Sequence, residues 1–118
     1  MNTVTLRQHF LEKPGATEDF PFGPEVAVFK VGGKMFALVP TDAASRTLSL
    51  KCDPDDALAL RAMYPDAVQP GYHLNKRHWN TITLDETVPE DVILDMIEQS
   101  YQLVFGALTR AVRNAIAP

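Results

Sequence analysis

Residues 26–39 read VAVFKVGGKMFALV, two β-rich runs on either side of a Gly-Gly pair, and no other stretch constrains the fold as tightly. Two glycines between such runs supply the positive φ angles of a two-residue turn, so 26–31 and 34–39 are predicted to form an antiparallel hairpin. That turn pairs Phe29 with Phe36 and Ala27 with Leu38 on one face, and Val28 with Ala37 and Lys30 with Met35 on the other. The phenylalanine face is expected to be core. A hairpin is marginal by itself. A short turn over 41–45 leads to a third strand over 46–52 with Leu48 and Leu50 inward, and 79–84, alternating threonine with apolar residues, makes a fourth.

Helices complete the pattern. Thr3 or Thr5 is placed to cap a first helix with Leu6, Phe10 and Leu11 inward, ended by Pro14-Gly15. Residues 14–24 hold three prolines and two glycines and read as an irregular loop pinned by buried Phe20 and Phe22. Asp53-Pro54-Asp55-Asp56 combines a capping side chain, an N1 proline and first-turn acids; the helix it opens runs to Tyr64, stopped by Pro65, and a loop leads on to Gly71. A capping box over 87–90 opens the last helix. Its Val92, Ile93, Met96, Ile97, Tyr101, Val104, Leu108 and Val112 recur at helical spacing, for about 28 residues or about 42 Å, with Gly106 the place where it ends or bends. The expectation is one α+β domain over residues 1–118, an antiparallel sheet flanked by helices, large enough for a single core.

Several function classes are excluded at this level. No signal peptide or membrane-length apolar run is present and the single cysteine, Cys52, has no disulfide partner, so a cytoplasmic domain held by packing is expected, without membrane contact. His73 and His78 stand five apart with no further ligand type between them, which does not fit a zinc site. Asp53, Asp55 and Asp56 cap a helix and lack the rest of a calcium loop. Cys52 beside Lys51 and a helix start has the setting of a reactive thiol, but reads better as a strand-end core residue. No nucleophile triad, phosphate loop or dinucleotide fingerprint occurs; no catalytic residue, metal or cofactor is expected.

Charge is unevenly distributed. The net charge is -4, yet residues 26–52 sum to +3 and 67–84 to +2, leaving -9 for the remainder. Within the second basic stretch, 70–82 reads PGYHLNKRHWNTI and contains no carboxylate. Lys76 and Arg77 suit phosphates, Tyr72 and Trp79 suit stacking, and Asn75 and Asn80 suit base edges, with His73 and His78 between them. Equally, Trp79 can fill core while Asn75 and Asn80 satisfy loop backbone.

PGYHLNKRHWNTI resembles the signature of the MmcQ/YjbR family of small bacterial proteins, and PGATEDFPFGPEVAVFKVGGKMFAL, LSLKCDPDDALALR and Ser100-Tyr101 agree with it, so the resemblance spans nearly the whole chain. It implies a CyaY-like fold, similar to bacterial frataxin, and a non-enzymatic, DNA-binding role. Carried over to this chain, that role falls on Tyr72, His73, Asn75, Lys76, Arg77, His78, Trp79 and Asn80, with Lys30 and Lys34 of the hairpin as a wing. The line of first-helix acids that frataxins use for iron is reduced here to Glu12. Two other readings stay open: a pocket around Tyr72, His73, His78 and Trp79 for a small anion or a protein partner, and self-association through Tyr101, Phe105 and Leu108 of the last helix.

Overall fold

The computed structural model of the chain describes residues 1–42 and 44–117, apart from the Thr3 side chain, so the turn expected over 41–45 lies partly outside the described residues. In chain order the described residues form α1 (Thr3–Leu11), β1 (Ala16–Asp19), β2 (Val26–Val31), β3 (Lys34–Pro40), β4 (Thr47–Lys51), α2 (Pro54–Met63), β5 (Val68–Pro70), β6 (Trp79–Thr83), α3 (Glu90–Gly106) and α4 (Arg110–Ile116). The strands make one antiparallel sheet in the order β1-β2-β3-β4-β6-β5, which confirms the α+β class.

The hairpin closes at the expected turn, with Gly32 and Gly33 at φ 58° and 80°, but its register slips. Lys30 faces Met35 as expected; beyond that pair Phe29 opposes Ala37, Val28 opposes Leu38 and Ala27 opposes Val39, leaving Phe36 as the extra residue of a β-bulge. Side chains alternate with period two, so one inserted residue sends Leu38 to the face away from Phe29 and brings Val39 onto the core face, where Phe36 and Ala37 also lie. The cause is tertiary. The buried Ser100 hydroxyl of α3 donates to the Phe36 carbonyl (2.6 Å) and accepts from the Lys51 N–H (2.9 Å), satisfying backbone groups at the irregularity.

One sheet face carries the core. Leu6 and Phe10 of α1 and Ile93, Ile97, Tyr101 and Val104 of α3 cover Phe29, Phe36, Leu48, Leu50 and Ile82, with the Phe10 ring 4.6 Å from Phe29 and Phe36 edge-on to Tyr101 at 5.5 Å. On the other face Val28, Leu38 and Trp79 form a small cluster with Val26, Met35 and Leu74 laid against it, and among the described residues no helix residue joins them.

Several local expectations are corrected. Residues 16–19 are an edge strand rather than loop: Glu18 takes both Arg7 donors (2.9 and 2.7 Å) and Asp19 pairs with Lys30 (3.0 Å), so acids that argue against a strand are neutralised by their neighbours. Phe20 and Phe22 are exposed, and so is Leu11. The first helix is capped by Asn2, whose side chain accepts from Thr5 N–H (2.9 Å). No side chain caps α3; instead of a capping box, the Asp85 carboxylate accepts from Thr87 N–H (3.0 Å) before it. The long terminal helix is broken after Gly106. Thr109 caps α4 and Arg113 donates to the Gly106 carbonyl (2.9 Å), so the chain folds back and sets Leu108 and Val112 against Gly32, where a Cβ would come within 2.6 Å of Leu108. Tyr101, read as a partly exposed association residue, is buried and donates its hydroxyl to the Pro14 carbonyl (2.6 Å).

Candidate functional site

The segment 70–82 splits into two populations. Its C-terminal part belongs to β6 and faces inward. Asn80 is 1% exposed on the helix-covered side; its amide donates to the Ala57 carbonyl (3.4 Å) and its oxygen accepts from Arg61 of α2 (2.7 Å). The same guanidinium also donates to the carbonyls of Lys76 and Trp79, tying the loop to α2. Trp79 is 7% exposed, beneath Leu74.

The loop before it holds itself. Gly71 N–H donates to the Trp79 carbonyl (2.8 Å), the Lys76 ammonium donates to the Gly71 carbonyl (2.8 Å), and Asn75 accepts from Arg77 N–H (3.0 Å). At Gly71 a Cβ would lie 2.7 Å from that of Trp79, so the close approach of loop and strand requires glycine. Tyr72 N–H donates to the Thr81 hydroxyl (3.0 Å), and the Tyr72 and His73 rings sit 4.0 Å apart. His73 has φ 58°, a left-handed conformation that costs a non-glycine residue about 1–3 kcal/mol. The outcome is a tyrosine 72% exposed on a loop that is otherwise pinned.

Tyr72 and His73 stand beside a groove of about 950 Å³ on the uncovered sheet face. Its floor is Leu38 of β3, Thr47 and Ser49 of β4 and Thr81 and Thr83 of β6; Leu74, Phe22, Val26 and Pro40 add apolar surface, and Arg46 and Asp85 stand at its margin. Ser49 and Thr81 hydroxyls are bonded to each other (2.8 Å). Thr87, through its hydroxyl and backbone N–H, holds the Asp85 carboxyl below its ordinary value. Alternating apolar and hydroxyl residues along 47–50 and 79–83 were the sequence signal for a sheet face without cover. Arg46, Asp85 and Phe22, brought in by separate turns, gave none.

Placement of the remaining candidates follows from the register. Lys34, Lys51 and Arg77 lie toward the hairpin-turn end of the sheet, whereas Pro40, Thr47 and Thr83 lie toward the other. Lys34 and Arg77 are exposed and form no ion pair among the described residues; Lys30 is held by Asp19. His78 is half-buried; its backbone N–H donates to the Asn75 carbonyl (3.2 Å) and its backbone carbonyl accepts from Cys52 N–H (2.7 Å). Of the four residues read as a pocket, Tyr72 and His73 line the groove, while Trp79 lies buried and His78 at the strand's start. Burial, then Asp56 and Asp53, push the Cys52 thiol up to about 11, so at neutral pH it is protonated. Among the described residues no three metal-ligating side chains gather, and no helix is long and apolar enough to cross a membrane.

Comparison with known proteins agrees over the full length. The chain is 36% identical to YbdF of Escherichia coli O157:H7 over 97% of its own length and 93% of that protein, and 33% identical to YjbR of Escherichia coli K12 over 98% of each. It superposes on the crystal structure of Deinococcus radiodurans protein DR2400 with a TM-score of 0.89 at 42% identity, covering 98% of this chain and 87% of that one. With the YjbR family model matching residues 11–103, loop and groove together, the chain belongs to the YjbR family.

Proposed function

We propose that this chain is a non-catalytic binding domain whose ligand lies in the groove on the uncovered sheet face, against the Tyr72–His73 rim. The observation that carries this reading is the exposed Tyr72 ring, presented beside a ready-made groove by a loop that is pinned at Gly71, Lys76 and Asn75 and strained at His73. Pinned, strained segments concentrate at ligand sites, and 950 Å³ falls within the range of small-molecule clefts. The non-catalytic part of the reading is supported by hydroxyls that bond each other, Ser49 to Thr81, rather than a base. The direct test is fluorescence titration with the neutral apolar probe N-phenyl-1-naphthylamine. Saturable binding that is weakened by Tyr72→Ala and abolished by Ser49→Phe, which fills the floor, is the expected result; equal binding by the Ser49→Phe protein overturns it.

DNA binding is the second reading, and exposed Arg77, at the same end of the sheet as Lys34 and Lys51 and without a carboxylate partner among the described residues, favours it. Three or so phosphate contacts there give a log affinity that falls with log salt at a slope near -3, by about 0.9 per contact. Anisotropy of a labelled duplex measures this. Arg77→Ala should flatten the slope by about one unit, and affinity indifferent to salt removes the reading.

A further inference from the structure

Building on the groove reading, we propose that its ligand is a small organic anion with a flat apolar body, and that Arg46 takes the anionic group. The arginines Arg7, Arg61 and Arg113 all spend donors on protein acceptors: Arg7 on Glu18, Arg61 on Asn80 and two loop carbonyls, Arg113 on the Gly106 carbonyl. Arg46 makes no side-chain hydrogen bond or ion pair among the described residues, as is also true of Arg77 and Arg110, but it alone of those three lines the groove.

Its backbone is held all the same. The Arg46 carbonyl accepts from Leu84 N–H (2.8 Å), and the turn before it is closed by Asp42, which accepts from Ala44 N–H (2.9 Å). Asp85, whose carboxylate accepts from Thr87, stands near enough for the Arg46 charge to help lower its pKa, but the two form no hydrogen bond or ion pair among the described residues. A guanidinium with five free donors at the margin of an apolar groove is a fork for two parallel oxygens, as in a carboxylate or a phosphate. At the rim the exposed Tyr72 ring, tilted against His73, offers a face to a planar body.

The test uses two probes with the same aromatic body, 8-anilinonaphthalene-1-sulfonate and its uncharged counterpart N-phenyl-1-naphthylamine, titrated by fluorescence into the full chain and into Arg46→Gln. The sulfonate should bind the wild type about tenfold more tightly, the ordinary gain of a charge-assisted pair over a neutral contact. Arg46→Gln should erase that advantage, so that the two probes bind the variant with equal affinity, and leave the melting temperature unchanged. Asp85→Asn, removing a like charge, should tighten the sulfonate two- to threefold, about half a kcal/mol. Displacement by 1-naphthoate or by 1-naphthyl phosphate then assigns carboxylate or phosphate. Equal affinity for the two probes, or an advantage that survives Arg46→Gln, overturns the anion assignment while leaving the groove in place; failure of both probes to saturate overturns the groove reading itself.

Discussion

The two faces of the sheet are cut from the same strands and put to opposite uses. On the helix-covered face Phe29, Phe36, Leu48, Leu50 and Ile82 are sealed by α1 and α3, and even the polar residues there, Ser100 and Asn80, are buried with a hydrogen-bond partner for each side-chain polar atom. On the uncovered face the same strands present Thr47, Ser49, Thr81 and Thr83, one small apolar cluster, and a loop that holds an aromatic ring out to solvent. If the uncovered face binds as proposed, stability and binding are separated by the period of the β-strand: substitutions at odd and even positions of one strand should move different measurements.

The largest effect should come from Phe36→Ala, which empties a fully buried ring site under Tyr101 and Phe10 and should cost about 3–5 kcal/mol in urea unfolding. A loss under 1 kcal/mol would mean that the bulge does not place this ring in the core. Ser100→Ala comes next. It strips the Phe36 carbonyl and the Lys51 N–H of their partner, for about 1–3 kcal/mol, and wild-type stability in this variant would break the link drawn between α3 and the bulge. Tyr72→Ala sharpens the contrast from the other side. Removing a ring 72% exposed should change stability by less than about 0.5 kcal/mol while weakening probe binding, and the reverse pattern would make Tyr72 a structural residue.

The smallest effect is an acid one. Lys13, followed by Gln102, holds the Glu98 carboxyl below its ordinary value of 4.5. A carboxylate with a depressed folded-state pKa stabilises the protein above that ordinary value and loses the contribution as pH falls through the folded one. Glu98→Gln should flatten the fall in stability below about pH 5, by under about 1 kcal/mol because the pair is largely solvated. An unchanged pH profile in thermal melts would show the pair to be energetically silent.

Local signals in the sequence were enough for the hairpin turn, strands β3, β4 and β6, and helix α2 with its Asp53 cap, because turn glycines, alternation and N1 proline act over a few residues. What escaped them is settled at a distance. The bulge at Phe36 depends on Ser100, 64 positions away; β1 depends on Arg7 and Lys30; β5, three residues long, exists because β6 offers an edge. The site was half legible for the same reason. PGYHLNKRHWNTI marked the family, but composition cannot say that Asn80 and Trp79 point inward while Tyr72 and His73 point out, nor that Arg46 and Phe22 line the same groove from other turns.

On the reading proposed above, binding belongs to the groove rather than to the cations at the hairpin-turn end of the sheet. Amide chemical-shift mapping of the labelled protein, titrated with 8-anilinonaphthalene-1-sulfonate and, separately, with a short DNA duplex, tests it most directly. The sulfonate should shift Arg46, Ser49, Tyr72, Thr81 and Thr83 and leave Lys34 and Arg77 still, with duplex causing no comparable shifts in the groove. Shifts from the sulfonate centred on Lys34, Lys51 and Arg77, or spread evenly over both faces, would contradict it.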